Sequence, residues 1–89
     1  MEQNPDAITR DELREWLATY LAQLLGMEAA EVDPDFSFEL YGLDSTAAVG
    51  LSGDLSALLG REFDTVLAYD YPNINALLDQ LTAIGAIEA

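Results

Sequence analysis

Apolar residues recur along residues 10–25 with the period of a helix: Leu13, Trp16, Leu17, Tyr20, Leu21, Leu24 and Leu25 fall three or four apart, on one stripe. The stripe follows Thr9 and Glu12, spaced so that a hydroxyl and a carboxylate reciprocally satisfy the free N–H groups of a helix start, with Ile8 and Leu13 at the staple positions. Gly26 supplies the stop. Residues 27–43 then lose the period. Pro34 and Gly42 punctuate them, yet Val32, Phe36, Phe38, Leu40 and Leu43 are too apolar for a solvated loop, so several should enter the core. Asp44 and Ser45 open a second helix with its stripe at Ala48, Leu51, Leu55, Leu58 and Leu59, closed by Gly60. A connector over 61–72 allows a short helical turn near 65–69, and Pro72 ends it. Asn73 then caps a final helix over 74–83, with Ile74, Leu77, Leu78, Leu81 and Ile84 at helical spacing. No segment alternates as a strand does. The expected fold is all-α: a small helix bundle of three main helices plus a short third helix, occupying 8–84 between a flexible N-terminal tail at 1–7 and a C-terminal tail at 85–89.

Composition narrows the chemistry more than the fold. The 89 residues allow one core and carry 3 basic against 17 acidic side chains, a net charge of −14. Nucleic acid and anionic membrane are therefore not expected as partners. With no Cys, His or Lys there is no thiolate, no imidazole base, no zinc site, no disulfide and no Schiff base. The chain is not expected to be an enzyme. It is nevertheless 51% hydrophobic, too apolar for an acidic disordered tail. No apolar run is long enough to span a membrane and residues 1–7 do not read as a signal peptide, so a cytoplasmic protein is expected.

The second helix carries the candidate chemistry. On a helical wheel centred on Leu51, Ala48, Leu55 and Leu58 lie within about 60°, Ser45 lies about 120° away, and Thr46, Val49 and Gly53 take the far side. Ser45 should thus be exposed in the first turn beside the Asp44 carboxylate, and Val49 should be an exposed apolar residue among small neighbours. Local chemistry alone makes Asp44 and Ser45 a helix cap. Gly50 and Gly53 each cost a helix about 1 kcal/mol relative to Ala. Either a partner approaches the backbone closely there, or the face has no special role.

The segment Tyr41-Gly42-Leu43-Asp44-Ser45 resembles the phosphopantetheine attachment site of acyl carrier proteins. Val32-Asp33-Pro34-Asp35 and Phe38 resemble that family's first loop. Ala48, Val49 and Leu51 fit its second helix, and Tyr69-Asp70-Tyr71-Pro72-Asn73-Ile74 resembles a segment of polyketide-synthase carrier domains. The register holds from about Leu13 to Leu81. This resemblance implies that Ser45 accepts 4′-phosphopantetheine from coenzyme A through a separate phosphopantetheinyl transferase, with Asp44 supporting the transfer. It also implies a monomeric carrier of acyl thioesters in polyketide, fatty-acid or related lipid biosynthesis. An acyl-loading ligase or acyltransferase and a ketosynthase would be its partners, docking on Thr46, Val49, Gly50, Gly53 and Asp54. Fatty-acid-type carriers have a strongly acidic second helix and a large apolar residue after the serine. Thr46, Gly50 and Gly53 depart from that, which points to a pathway with its own enzymes.

Three other readings remain at this level. Peptidyl or aminoacyl carriers share the fold and the serine. An unmodified acidic interaction module would use charge steering alone. Residues Asp33, Asp35, Ser37, Glu39 and Asp44 have the spacing of a calcium loop, but Phe38 stands where such a loop turns on Gly and Asp44 where it ends on Glu. No metal is therefore expected.

Overall fold

The computed structural model describes residues 8–65 and 67–89; the expected tail at 1–7 lies outside them. Four helices follow in order: α1 (Arg10–Leu25), α2 (Ser45–Leu59), α3 (Leu67–Asp70) and α4 (Ile74–Ala83), with a 3-10 turn at Ala29–Glu31 between the first two. The three long helices begin and end where side-chain chemistry requires. Thr9 and Glu12 form the reciprocal capping box of α1, Asp44 accepts from the Ala47 N–H at the start of α2, and Asn73 accepts from the Ala76 N–H at the start of α4. Gly26 and Gly60 take the left-handed conformation just beyond α1 and α2, at φ 71° and 67°.

Leu13, Leu17 and Leu21 of α1, Leu51 and Leu55 of α2, and Leu77, Leu78 and Leu81 of α4 are fully buried and form the centre of the core. The wheel drawn from sequence needs turning. In α2 the buried residues are Ala48, Leu51, Ser52 and Leu55, so the inward direction lies about 50° from Leu51 towards Ser52. That rotation explains why Ser52 is buried while Leu58 is exposed. Leu24, in the last turn of α1, and Ile84, just beyond the end of α4, also lie outside the core. Trp16 and Tyr20 are only half-buried, on the flank of the α1 stripe.

The long α1–α2 connection is partly core. Val32 and Phe38 are buried and Leu43 is half-buried, whereas Phe36 packs edge-on against Tyr41 at 4.7 Å near the surface and Leu40 is 71% exposed. Backbone hydrogen bonds from Phe38 N–H to Pro72 O (2.8 Å) and from Asn75 N–H to Pro34 O (3.0 Å) pin this connection to the start of α4.

Residues 85–89 are not a tail. Gly85 turns left-handed at φ 75°, and the Ala86 N–H returns to Leu81 O, closing α4 and sending the chain back over the bundle. Arg10 N–H then donates to Glu88 O (2.7 Å) and Glu88 N–H to Ile8 O (2.9 Å), a single parallel bridge that seats Ile87 in the core at 6% exposure. Five residues are too few to show a period, so this contact could not be read from the sequence. Ile87→Ala should therefore destabilise the domain by about 2 kcal/mol or more in chemical denaturation, like other buried isoleucines; a tail residue would cost nothing.

Charge works against this compact state. Arg10 pairs with Asp79 (2.7 Å) and Arg14 with Asp11 (3.0 Å), both at the surface, where such pairs contribute little. A net charge of −14 thus remains largely unbalanced, and raising salt from low to physiological ionic strength should raise the melting temperature by screening the repulsion. A melting temperature that is flat or falls over that range would contradict this.

Candidate modification site

The backbone before α2 is a compact series of turns. Tyr41 N–H donates to Ser37 O (3.1 Å), Gly42 N–H to Glu39 O (3.0 Å) and Leu43 N–H to Phe38 O (3.1 Å). Gly42 has φ 92°, a conformation that L side chains rarely adopt, and so lets the chain turn into the helix start. The Tyr41 hydroxyl accepts from the Asp33 N–H at 2.7 Å and holds the two ends of the connection together. This frame delivers Asp44 as the N-cap, its Oδ1 2.9 Å from the Ala47 nitrogen, and Ser45 as the first helical residue with its side chain exposed. The hydroxyl therefore stands at the positive end of a 15-residue helix. No His or Lys exists in the chain to activate it.

A cleft of about 240 Å³ opens beside this start, lined by Phe38, Leu43, Ala48, Ala68, Tyr69 and Pro72, with Glu39 as its one charged residue. It lies between the α1–α2 connection, α2 and α3, and is mostly apolar.

Thr46, Val49, Gly50, Gly53 and Asp54 are all exposed on α2, with Val49 at 46%. Space around the two glycines differs. A Cβ on Gly53 would meet nothing within 4 Å, while one on Gly50 would lie 3.8 Å from the Tyr20 hydroxyl of α1. Burial first, then the neighbouring Asp54 carboxylate, push the Tyr20 pKa up to about 12. Tyr20 and Trp16 stack with ring centroids 5.2 Å apart. Sequence periodicity assigned both rings to the core stripe and so missed that the Tyr20 hydroxyl reaches Gly50 of α2. A half-buried tyrosine, which needs a partner for its hydroxyl, was the available signal.

The residues with calcium-loop spacing serve the loop itself. Asp33 Oδ1 accepts from Asp35 N–H (2.9 Å), Asp35 Oδ1 from the Asn75 amide (2.6 Å), and Ser37 Oγ from the Glu39 and Leu40 N–H groups (3.1 and 3.4 Å). Among the described residues no three acidic side chains converge as a metal site would require. Nor is any described helix long and apolar enough to cross a membrane.

A protein-family model described as a phosphopantetheine attachment site matches residues 15–81, three quarters of the chain. Over 72 residues, 81% of its length, the chain is 46% identical to a phenolphthiocerol/phthiocerol polyketide synthase of Mycobacterium tuberculosis, but it spans only 4% of that much longer protein. Among solved structures, it is similar to the acyl carrier protein Asl1650 from Anabaena sp. PCC 7120, with a TM-score of 0.79 and 33% identity, covering 85% of this chain and 86% of that one. It is likewise similar to a free-standing peptidyl carrier protein from Acinetobacter baumannii, with a TM-score of 0.77 and 37% identity over 85% and 95% of the two chains. The all-α helix order agrees with these likenesses.

Proposed function

Because the chain belongs to the phosphopantetheine attachment-site family, we propose that Ser45 is its attachment residue and that the domain carries acyl intermediates of a polyketide pathway. The observation that carries this reading is the exposure of Ser45 in the first turn of α2, directly after the Asp44 cap and within the matched region. Carriers of this family bind 4′-phosphopantetheine covalently and are not themselves catalytic; the group supplies the thiol on which cargo is held as a thioester.

The chain's own residues fit that group. The Ser45 hydroxyl becomes one ester oxygen of a phosphodiester, and the anion rests at a helix N-terminus whose first N–H groups and dipole favour negative charge. Asp44 commits one carboxylate oxygen to the Ala47 N–H, which fixes the carboxylate beside the serine for a transferase to use. The apolar cleft of Phe38, Leu43, Ala48 and Tyr69 offers shelter to the first carbons of a cargo. Tethering replaces diffusion between enzymes by a high effective concentration at whichever enzyme docks.

Working partners of such a domain are pathway enzymes. In the finer reading these are a phosphopantetheinyl transferase, a loading ligase or acyltransferase, and a ketosynthase, met in the cytoplasm by a monomeric domain. Likeness to a peptidyl carrier favours a second reading, in which the cargo is an aminoacyl group. Loading trials with acyl- and aminoacyl-activating enzymes separate the two. The primary test is the intact mass after incubation with coenzyme A and a broad-specificity transferase.

Val49 is the one large apolar side chain exposed on the outward face of α2 near Ser45, so it is the anchor for a partner's pocket. Val49→Asp should leave the melting temperature nearly unchanged and slow acyl transfer with cognate enzymes by about tenfold or more, a loss of about 1.4 kcal/mol per factor of ten. Wild-type transfer rates in that variant would move the docking face elsewhere.

A further inference from the structure

A hydroxyl within a helix commonly finds its partner on the helix itself. Ser56 and Thr82 do so, turning back onto the carbonyls of Ser52 (2.9 Å) and Leu78 (2.8 Å). Ser52 does not. It is 2% exposed, and its hydroxyl has no hydrogen-bond partner among the described residues. A buried hydroxyl left unpaired is destabilising, and an alanine would fill the position without that cost. Packing alone therefore gives no reason for a serine here.

The helix places this hydroxyl relative to Ser45. Seven residues make almost two turns, so Ser45 and Ser52 stand within about 20° of one line along α2, about 10 Å apart. Ala48 lies between them along the helix and lines the cleft together with Ala68 of α3. The same flank of α2 faces the 61–70 stretch. Ser56, one turn beyond Ser52, accepts from the Phe63 N–H at 3.1 Å, and α3 packs on α2. Gly50, on the other side of the helix, faces α1 through the Tyr20 hydroxyl. The wall on the Ser52 side is thus α3, a single helical turn of four residues.

We propose that the Ser52 hydroxyl is the hydrogen-bonding partner of an amide in the 4′-phosphopantetheine arm, so that the arm without cargo rests along the cleft from Ser45 past Ala48. An extended chain advances about 3.4 Å for every three bonds. A point about 10 Å from the serine oxygen therefore falls between the arm's two amides, within reach of either. A hydroxyl suits an amide in both senses, donating to its carbonyl or accepting from its N–H. The methyl and methylene groups beside the amides meet the apolar walls of the cleft. Ser52 is covered in the structure, so the short α3 moves outward to admit the amide. The inference rests on Ser45 as the attachment residue and adds where the arm is held when no enzyme draws it out.

Ser52→Ala removes no hydrogen bond made among the described residues. Before the arm is attached, its melting temperature should equal or exceed that of the wild-type protein. A fall of several degrees would mean that the hydroxyl already has a partner, and would overturn the inference. Attachment should raise the melting temperature of the wild-type protein by about 4 °C more than that of Ser52→Ala, the order expected for one buried hydrogen bond in a domain of this size. The direct readout is NMR on isotope-labelled protein carrying an unlabelled arm taken from ordinary coenzyme A. Nuclear Overhauser contacts should join the arm's methylene protons to Ala48 and Ser52 in the wild-type protein and weaken in the variant. Arm protons without contact to Ser52, or equal contacts and equal stabilisation in both proteins, would overturn the proposal. Intact mass of each sample separates the failures: a protein that gains the arm but shows none of these effects loses this inference only, whereas one that gains no arm removes the attachment reading beneath it.

Discussion

Leu21→Ala should lower the domain's stability by about 2–5 kcal/mol, a large share of the total for so small a core. Leu21 is fully buried in α1, in one stripe with Leu13 and Leu17, against the buried faces of the other helices. Its truncation removes transfer free energy and leaves a void among neighbours that are themselves held by capped helices. Collapse around that void is limited, because the backbone bridge from Arg10 to Glu88 fixes one end of α1. Trp16→Ala should cost less than Leu21→Ala despite the larger side chain, since Trp16 is half-buried and keeps one face towards the surface. Urea denaturation of the two variants checks both statements. A Leu21→Ala midpoint equal to that of the wild-type protein would mean that α1 packs through a different face.

The helices were legible because their information is local. Thr9 with Glu12, Asp44 with the Ala47 N–H, and Asn73 with the Ala76 N–H are contacts over three residues, so each start can be read from a short string of side chains. Gly26 and Gly60 mark ends for the same reason. What the sequence did not reveal depends on partners distant along the chain. The rotation of α2 that buries Ser52 and exposes Leu58 is set by where the other helices lie. Ser52, its hydroxyl buried without a hydrogen-bond partner among the described residues, is a residue that hydrophobic patterning would never place inside. Ile87 is buried only because Glu88 pairs with Ile8 and Arg10, almost the whole chain away. In the long connection, composition showed that some apolar residues must be buried, but not that Phe38 would be and Leu40 would not. At the candidate site, the exposure of Val49 followed from helical geometry, whereas the turned wheel brings Ser45 to about 70° from the inward direction, and the approach of the Tyr20 hydroxyl to Gly50 required the tertiary structure.

Ser45→Ala should abolish modification altogether while barely disturbing the fold, and this pairing is what separates attachment from capping. Asp44, not Ser45, supplies the capping oxygen. Losing the exposed Ser45 hydroxyl should therefore cost about 1 kcal/mol or less, and the variant remains a folded substrate for comparison. Ser37 is committed to the turn before α2, Ser52 is buried, and Ser56 bonds the Ser52 carbonyl and the Phe63 N–H. None of them offers a transferase an exposed hydroxyl at a helix start. The decisive measurement is the intact mass of wild-type protein and Ser45→Ala, each incubated with coenzyme A and a broad-specificity phosphopantetheinyl transferase. The wild-type protein should gain one phosphopantetheine and the variant none. Equal gain in both, or no gain in the wild-type protein while a control carrier in the same tube is loaded, would contradict it.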